Sequence, residues 1–306
     1  MTMFNRFGQV LKPITEMSDA HMDKPVKKGL VMEGGGMRGM FVAGVCDVLM
    51  ENSIEFDGAV GVSAGAAFGC NYKSRQIGRA IRCTAKHCRD KQYCSFSNLI
   101  KTGDLFGAEY CYHTIPDKLD IFDIEAFEKN PMDFYVVCTD VHTGRPVYRK
   151  CHKADYSTLE WIRASASLPL VSNVVSVDGY DLLDGGIVDS IPLRFFCESG
   201  YDKNIVILTQ PEGYTKKRNK LLSLIKFALK KYPRIIEAME NRHIMYNNTV
   251  SYIKEAEKEG KAYVIRPDCP LPVGRTEMKP EKLWQTYNIG REIASKHIGE
   301  IRDYLN

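Results

Sequence analysis

A serine between two glycines is the first feature of the chain that could do chemistry. Residues 61–65 read GVSAG and fit the pattern G-x-S-x-G, with Gly61 and Gly65 two positions either side of Ser63. A serine at this centre lies on a sharp strand-to-helix turn that lifts its hydroxyl clear of the sheet, and larger side chains at the glycine positions would collide. The pattern predicts a nucleophilic serine; the alternative is a structural serine in a glycine turn.

An aspartate later in the chain is the better candidate for the base that a serine hydroxyl needs. Asp184 follows an apolar pair and precedes Gly185 and Gly186, where the backbone can pack closely against another loop. Asp-Gly is also a common turn dipeptide, so this segment alone favours an ordinary turn aspartate. None of the seven histidines lies in a recognisable motif, and His142 is the best candidate among them.

A glycine-rich loop precedes both motifs. Residues 34–39, GGGMRG, fit G-x-G-x-x-G after an apolar run and before a helical pattern. Its backbone N–H groups at a helix N-terminus can hold a phosphate or a transient oxyanion. The same pattern marks dinucleotide-binding proteins, with Asp57 near the distance expected for a ribose-binding acid. A tight turn without a ligand is the third interpretation. The candidate residues of this loop are Gly34, Gly35, Gly36, Arg38 and Gly39.

The three motifs together, in this order, resemble the patatin-like phospholipases. Residues 164–169 (ASASLP) and 188–192 (VDSIP), on either side of the aspartate motif, are also similar to that family. The resemblance covers about residues 28–210. It implies an α/β fold, a three-layer α/β/α sandwich around a mainly parallel sheet, with a Ser–Asp dyad. Family members usually carry Asp where this chain has Glu33.

The resemblance also implies roles by position. Ser63 would be the nucleophile, Asp184 the general base, and the backbone amides around Gly35 and Gly36 the oxyanion hole. Arg38 would steady the loop or meet an anionic lipid headgroup. The expected activity is cleavage of a lipid ester through an acyl-enzyme, without a metal or other cofactor. The alternatives are a catalytically idle lipid-binding protein and a nucleotide-binding oxidoreductase. The oxidoreductase would leave the serine and aspartate motifs unexplained.

Alternating strand and helix patterns must position these residues, and they favour a mainly parallel sheet with helices on both faces. Strands are expected at residues 29–33, 57–61, 134–139, 174–177, 204–209 and 262–266. Helices are expected after residue 39 and over residues 64–70, 159–167, 235–259 and 281–304. The predicted organisation is an N-terminal arm (1–28), a catalytic domain (29–210) and a mostly helical C-terminal extension (211–306).

Composition limits the class of protein. The 306 residues are 44% hydrophobic and 26% charged, as in ordinary globular proteins, and the net charge of +4 gives no argument for nucleic acid. No apolar run reaches the ~18 residues of a spanning helix, and the first 28 residues do not form a secretory signal. Ten cysteines without a C-x-x-C pair indicate a reducing cytoplasm rather than a metal site. The expected location is the cytoplasm, with peripheral membrane contact as one alternative.

The positive charge is concentrated in one segment. No acidic residue lies between Glu212 and Glu237, whereas eight basic residues do. Within residues 216–233 apolar side chains recur at helical spacing, so a basic amphipathic helix is predicted. Such a helix lies on an anionic bilayer or packs on its own domain, and the sequence favours neither interpretation over the other. The basic residues are Lys216, Lys217, Arg218, Lys220, Lys226, Lys230, Lys231 and Arg234. The oligomeric state is left open.

Overall fold

The computed structural model describes residues 25–306, which contain an eight-stranded sheet. Its strand order is β5-β6-β3-β2-β1-β7-β8, and β4 also pairs with β3. Of the predicted N-terminal arm, residues 1–24 lie outside the described part. The strands are β1 (Lys28–Met32), β2 (Gly58–Val62), β3 (Asp133–Asp140), β4 (Pro146–Lys150), β5 (Val175–Val177), β6 (Tyr180–Asp184), β7 (Lys203–Ile207) and β8 (Ala262–Ile265).

Strand direction confirms the predicted mainly parallel sheet. The path β3-β2-β1-β7-β8 is parallel throughout, while β4 and β6 run antiparallel to β3 and β5 runs antiparallel to β6. Strands β4 and β6 were not predicted. β4 has no buried residue, and β6 carries Asp181 and Asp184, which read as turn residues. Asp184 is therefore the last residue of a strand rather than part of a loop.

Helices cover both faces of the sheet, because alternate strand residues enter two separate cores. Leu30 and Met32 pack in one core with Phe41, whereas Val31 packs in the other with Phe196. This is the three-layer α/β/α sandwich that the resemblance implied. The helices are α1 (Gly39–Glu51), α2 (Ala64–Lys73), α3 (Arg79–His87), α4 (Phe96–Thr102), α5 (Ile124–Lys129), α6 (Tyr156–Ser165), α7 (Leu193–Glu198), α8 (Leu222–Ala228), α9 (Pro233–Lys258) and α10 (Pro280–Leu305), with a π-helix at Tyr110–Leu119.

The C-terminal region is joined closely to the rest of the fold. Strand β8 pairs in parallel with β7, and α10 crosses α1 where Gly44 and Gly290 allow backbone contact. A Cβ on Gly44 would collide with the carbonyl of Tyr287, and a Cβ on Gly290 with that of Phe41. The region after residue 210 is mostly helical, yet it also supplies one strand. The boundary near residue 210 stays a prediction.

The amphipathic helix predicted over residues 216–233 is wrong in extent, because only α8 is helical there. The Asn247 side chain accepts from Lys216 N (2.9 Å) and donates to Lys216 O (3.1 Å), which holds this residue against α9 in a non-helical segment. Pro233 begins the next helix, and the residue before a proline avoids helical geometry. The helical spacing of apolar residues included Leu221, Leu224 and Ile225, but of these three only Ile225 is buried. Leu222, which is not at that spacing, is buried as well, and Phe227 is exposed.

No helix within residues 25–306 combines the length and the hydropathy that a bilayer crossing requires.

Candidate active site

Ser63 lies on a strained turn between β2 and α2. Its backbone dihedral angles are φ 55° and ψ −123°, a region that residues with a side chain rarely adopt. A Cβ on Gly61 would lie 2.5 Å from the carbonyl oxygen of Gly65, and a Cβ on Gly65 would collide with Met32 O. The close approach of these backbones explains the two glycines around the serine.

One segment at the C-terminal end of α6 contacts both candidate catalytic residues. The amide of Ser63 donates to Ser165 Oγ (2.8 Å), and that hydroxyl donates to Val137 O (2.6 Å). Two residues later, Ser167 O accepts from the amide of Asp184 (2.8 Å). These contacts give a structural role to the ASASLP segment, because it binds the backbone of both Ser63 and Asp184.

The Asp184 carboxylate is buried beside the serine. Asp184 is only 1% exposed, and its Oδ1 accepts a hydrogen bond from Gly186 N (2.7 Å). Its Oδ2 has no hydrogen-bond partner within residues 25–306. Burial raises the pKa of Asp184, and the Arg242 charge and the Ser63 hydroxyl oppose that rise. A carboxylate with a raised pKa is a stronger base, which suits proton removal from a serine.

The glycine loop lies directly against the serine. A Cβ on Gly34 would lie 3.0 Å from Ser63 Cβ, and a Cβ on Gly35 would lie 2.9 Å from Thr209 Oγ1. Gly36 has φ +58°, and a Cβ there would collide with Arg275 O. The amide of Met37 donates to Arg275 O (3.0 Å), whereas the Gly35 and Gly36 amides have no acceptor among the described residues. Unpaired N–H groups beside a serine are one requirement of an oxyanion hole.

Glu33 is a structural residue in this site. Its Oε2 accepts from Thr209 N (2.5 Å) and Thr209 Oγ1 (3.1 Å), and its Oε1 accepts from Tyr246 OH (2.8 Å). The buried carboxylate therefore ties the ends of β1 and β7 to α9. A glutamate where the family usually has aspartate fits this arrangement, because its side chain reaches an α9 residue.

Three basic residues that the motifs did not indicate surround the pocket together with Arg38. They are Lys216, Arg242 and Arg275. Arg242 Nε donates to Gly186 O (2.5 Å), and Lys216 Nζ lies 3.9 Å from the centre of the Tyr246 ring. Burial, together with the positive charges of Arg242, Arg275 and Arg38, lowers the pKa of Lys216 to about 7. Lys216 lies in the basic segment identified from the sequence, whereas Arg242 and Arg275 lie in no sequence motif that indicates a site.

Ser63 lies where two different cavities meet. On one side is a mainly apolar cavity of about 200 Å³ whose lining includes Ser63. On the other is a small polar pocket that contains Asp184, Arg38 and Arg242, and it adjoins a cavity of about 310 Å³. The apolar cavity is lined by residues that include Met37, Phe68, Phe106, Tyr112, Ile115 and Ile162.

Two other sequence candidates lie away from this pocket. His142 Nε2 pairs with Asp181 Oδ2 (2.9 Å), and no described histidine lines the pocket that holds Ser63 and Asp184. Asp57 directly precedes β2, and its Oδ2 accepts from Lys28 N (2.7 Å) at the start of β1. Because β1 and β2 are parallel, Asp57 lies at the opposite end of the sheet from the glycine loop. It cannot bind the ribose of a nucleotide held by that loop.

The fold and the site define a class: α/β/α sandwich proteins with a serine on a strained turn, a glycine loop beside it and a buried aspartate. A family model described as patatin-like phospholipase matches residues 30–196, more than half of the chain. The chain belongs to the patatin-like phospholipase family. A second family model, a domain of unknown function (DUF6363), matches residues 232–306, the region that supplies Arg242 and Arg275.

Three individual proteins are similar to this chain over most of its length. The uncharacterised protein YjjU of Escherichia coli is 25% identical over 287 residues, which cover 88% of this chain and 76% of YjjU. Lysophospholipase nte1 of Aspergillus oryzae is 23% identical over 292 residues; the match covers 90% of this chain but only 18% of nte1. The crystal structure of VipD from Legionella pneumophila aligns with a TM-score of 0.46 and 11% identity over 90% of this chain and 67% of VipD. Family membership supports lipid acyl hydrolysis as the general activity.

Proposed function

We propose that the protein hydrolyses carboxylic esters of lipids with Ser63 as the nucleophile and Asp184 as the general base. The observation that carries this proposal is the position of Ser63, at the junction of an apolar cavity and a polar pocket that holds a buried carboxylate. An acyl chain fits the first environment, and an ester carbonyl next to the serine would face the amides of the glycine loop.

The reaction proceeds in two stages. In the first, Asp184 accepts the Ser63 proton while Oγ attacks the ester carbonyl, and the Gly35 and Gly36 amides stabilise the resulting oxyanion. The tetrahedral intermediate collapses, the alcohol leaves with the proton from Asp184, and an acyl-serine remains. In the second, Asp184 accepts a proton from water, whose oxygen attacks the acyl carbonyl. The carboxylic acid leaves, and the proton returns to Ser63.

Hydrolysis of a chain-length series of p-nitrophenyl esters tests the dyad. We expect Ser63→Ala and Asp184→Asn to lose activity while their circular dichroism stays that of the wild type. Asp181→Asn is the matched control, because this half-buried carboxylate lies on the same strand but pairs with His142 and Ser176. Full activity in Ser63→Ala would refute the proposed nucleophile.

A fluorophosphonate probe separates this function from a catalytically idle lipid-binding protein. The probe reacts with an activated serine, so the wild type should be labelled and Ser63→Ala should not. Lipid binding by a wild type that is neither labelled nor active would favour the idle protein instead.

We also propose that the exposed apolar side of α8 contacts an anionic membrane surface. Leu221, Leu224 and Phe227 are 56%, 52% and 77% exposed, and they lie within the basic segment. Burial of one phenylalanine is worth ~1.5–3 kcal/mol, so Phe227→Asp should weaken binding to phosphatidylserine vesicles by about tenfold or more. Phe96→Asp, at an equally exposed position on α4, is the control. Equal binding to neutral phosphatidylcholine vesicles would argue against this contact.

A further inference from the structure

The polar pocket beside Ser63 carries an excess of positive charge. Four basic side chains line it against two carboxylates, so its balance is positive by two charges when Lys216 is protonated and by one when Lys216 is neutral. Glu33 is already engaged by Thr209 and Tyr246, and Asp184 is the candidate base. Desolvation of the Arg38 and Arg242 charges lowers the pKa values of both side chains, and a bound anion would offset the cost of that desolvation.

These basic side chains form few hydrogen bonds with the rest of the protein. The Arg275 guanidinium makes no hydrogen bond within residues 25–306, although its carbonyl accepts from Met37 N. Arg242 uses only Nε, on Gly186 O, and Lys216 Nζ contacts the Tyr246 ring. Arg38 Nε is buried without a hydrogen-bond partner among the described residues. Several donors without acceptors in the described part of the chain therefore line the same pocket.

We propose that Lys216, Arg242 and Arg275, together with Arg38, form a subsite that binds a phosphate group next to the scissile ester. A phosphate has enough oxygens to accept from several donors at once, and guanidinium groups bind it in a bidentate way. The adjoining cavity of about 310 Å³ shares Lys216, Arg242 and Arg275 with the pocket, so it provides room for the group.

The lining of this cavity also indicates which kind of phosphate fits. It contains Lys217 and His243 in addition to the three shared basic residues, and it contains no carboxylate. A cationic headgroup such as choline would meet only positive charges and neutral groups there, whereas a terminal phosphate would meet donors. The subsite therefore selects phosphomonoesters over zwitterionic phosphodiesters. The selection of phosphomonoesters rests on the proposed function, because it assumes that the bound phosphate is part of the ester substrate.

Three water-soluble esters with the same acyl chain test the selection without a membrane. They are hexanoyl glycerol 3-phosphate, hexanoyl glycerophosphocholine and hexanoyl glycerol. We expect the wild type to have the highest kcat/KM for the first ester. In the variants Lys216→Gln and Arg275→Gln, the ratio of kcat/KM for hexanoyl glycerol 3-phosphate to that for hexanoyl glycerol should fall about tenfold, mainly because KM for the phosphate ester rises. Lys254→Gln, an exposed lysine on α9 outside the pocket, is the control and should keep the preference.

Titration calorimetry with inorganic phosphate separates the two sources of the anion. Binding that weakens in Arg275→Gln, with no preference among the three esters, would establish a site for free phosphate and overturn the headgroup selection. Hydrolysis that depends on Ser63, without preference and without phosphate binding, would refute the subsite and leave the proposed function intact. Phosphate binding that weakens in Arg275→Gln, with no hydrolysis of any ester, would support the subsite and contradict the proposed function.

Discussion

Replacement of Arg242 by glutamine should move the acid limb of the pH–rate profile to higher pH. Asp184 accepts the Ser63 proton only when it is ionised, so activity falls as the pH drops through its pKa. Burial already raises this pKa, and the Arg242 charge opposes that rise. Removal of the charge therefore raises the pKa further, and the enzyme loses activity at a higher pH than the wild type.

The structure gives the size of this shift. A Cβ on Gly186 would lie 2.9 Å from Asp184 Oδ1 and 3.3 Å from Arg242 Nη2. These two atoms are therefore at most about 6 Å apart, and with an effective dielectric constant of ~20 their interaction is ~2.8 kcal/mol, or ~2 pKa units. Water in the adjoining cavity screens part of this interaction, so we expect a shift of about 1 to 2 units.

The assay is kcat/KM for an uncharged p-nitrophenyl ester between about pH 4 and pH 9. Arg242→Lys is the matched control, since it retains the charge and should keep the limb within about half a unit of the wild type. Circular dichroism verifies that both variants fold. An unmoved limb in Arg242→Gln, a shift to lower pH, or an equal shift in Arg242→Lys would refute the electrostatic role of Arg242.

Three further predictions concern stability. Ser165→Ala leaves the Ser63 amide without its buried acceptor, so the free energy of unfolding should fall by ~1–3 kcal/mol and ester hydrolysis should weaken, as measured by urea titration and the p-nitrophenyl assay. Tyr246→Phe removes the hydroxyl that donates to Glu33 and should cost ~1.5–3 kcal/mol in the same titration; unchanged stability would contradict the structural role of Glu33. Asp184→Asn should melt at a higher temperature than the wild type at neutral pH, because the raised pKa means that the ionised carboxylate destabilises the fold. This gain should vanish as the pH falls below the ordinary pKa of aspartate, where the wild-type carboxyl is protonated in both states; a less stable Asn variant at neutral pH would contradict the burial cost.

Local spacing rules make some of the fold and site predictable from sequence. Gly61 follows from backbone contact across a single turn and Gly65 from contact with the end of β1, and both leave a five-residue pattern that indicates the elbow. The buried parallel strands are also visible, because β1 and β7 are nearly continuous apolar runs. By contrast, β4 has no buried residue and no apolar alternation, and it forms only because β3 offers an edge.

The basic pocket could not be predicted because its residues come from separate parts of the chain. Lys216 lies in an irregular segment, Arg242 on α9 and Arg275 in the loop after β8. Only the addition of β8 to the sheet and the packing of α9 on its face bring these residues next to Ser63. A surface lysine and a pocket lysine look the same in a sequence, so charge counting placed Lys216 on an amphipathic helix.

The crossing of α1 and α10 also bears on how fast the chain can fold. Tyr287 OH donates to Asp47 Oδ2 (2.6 Å) across 240 residues of sequence, and such remote contacts slow folding. At a synthesis rate of ~5–20 residues per second, α10 leaves the ribosome roughly 10 to 50 s after α1. Throughout that interval the α10-facing side of α1 is uncovered, and that face is prone to aggregation. We therefore expect the nascent chain to expose an apolar face of α1 until α10 has been made.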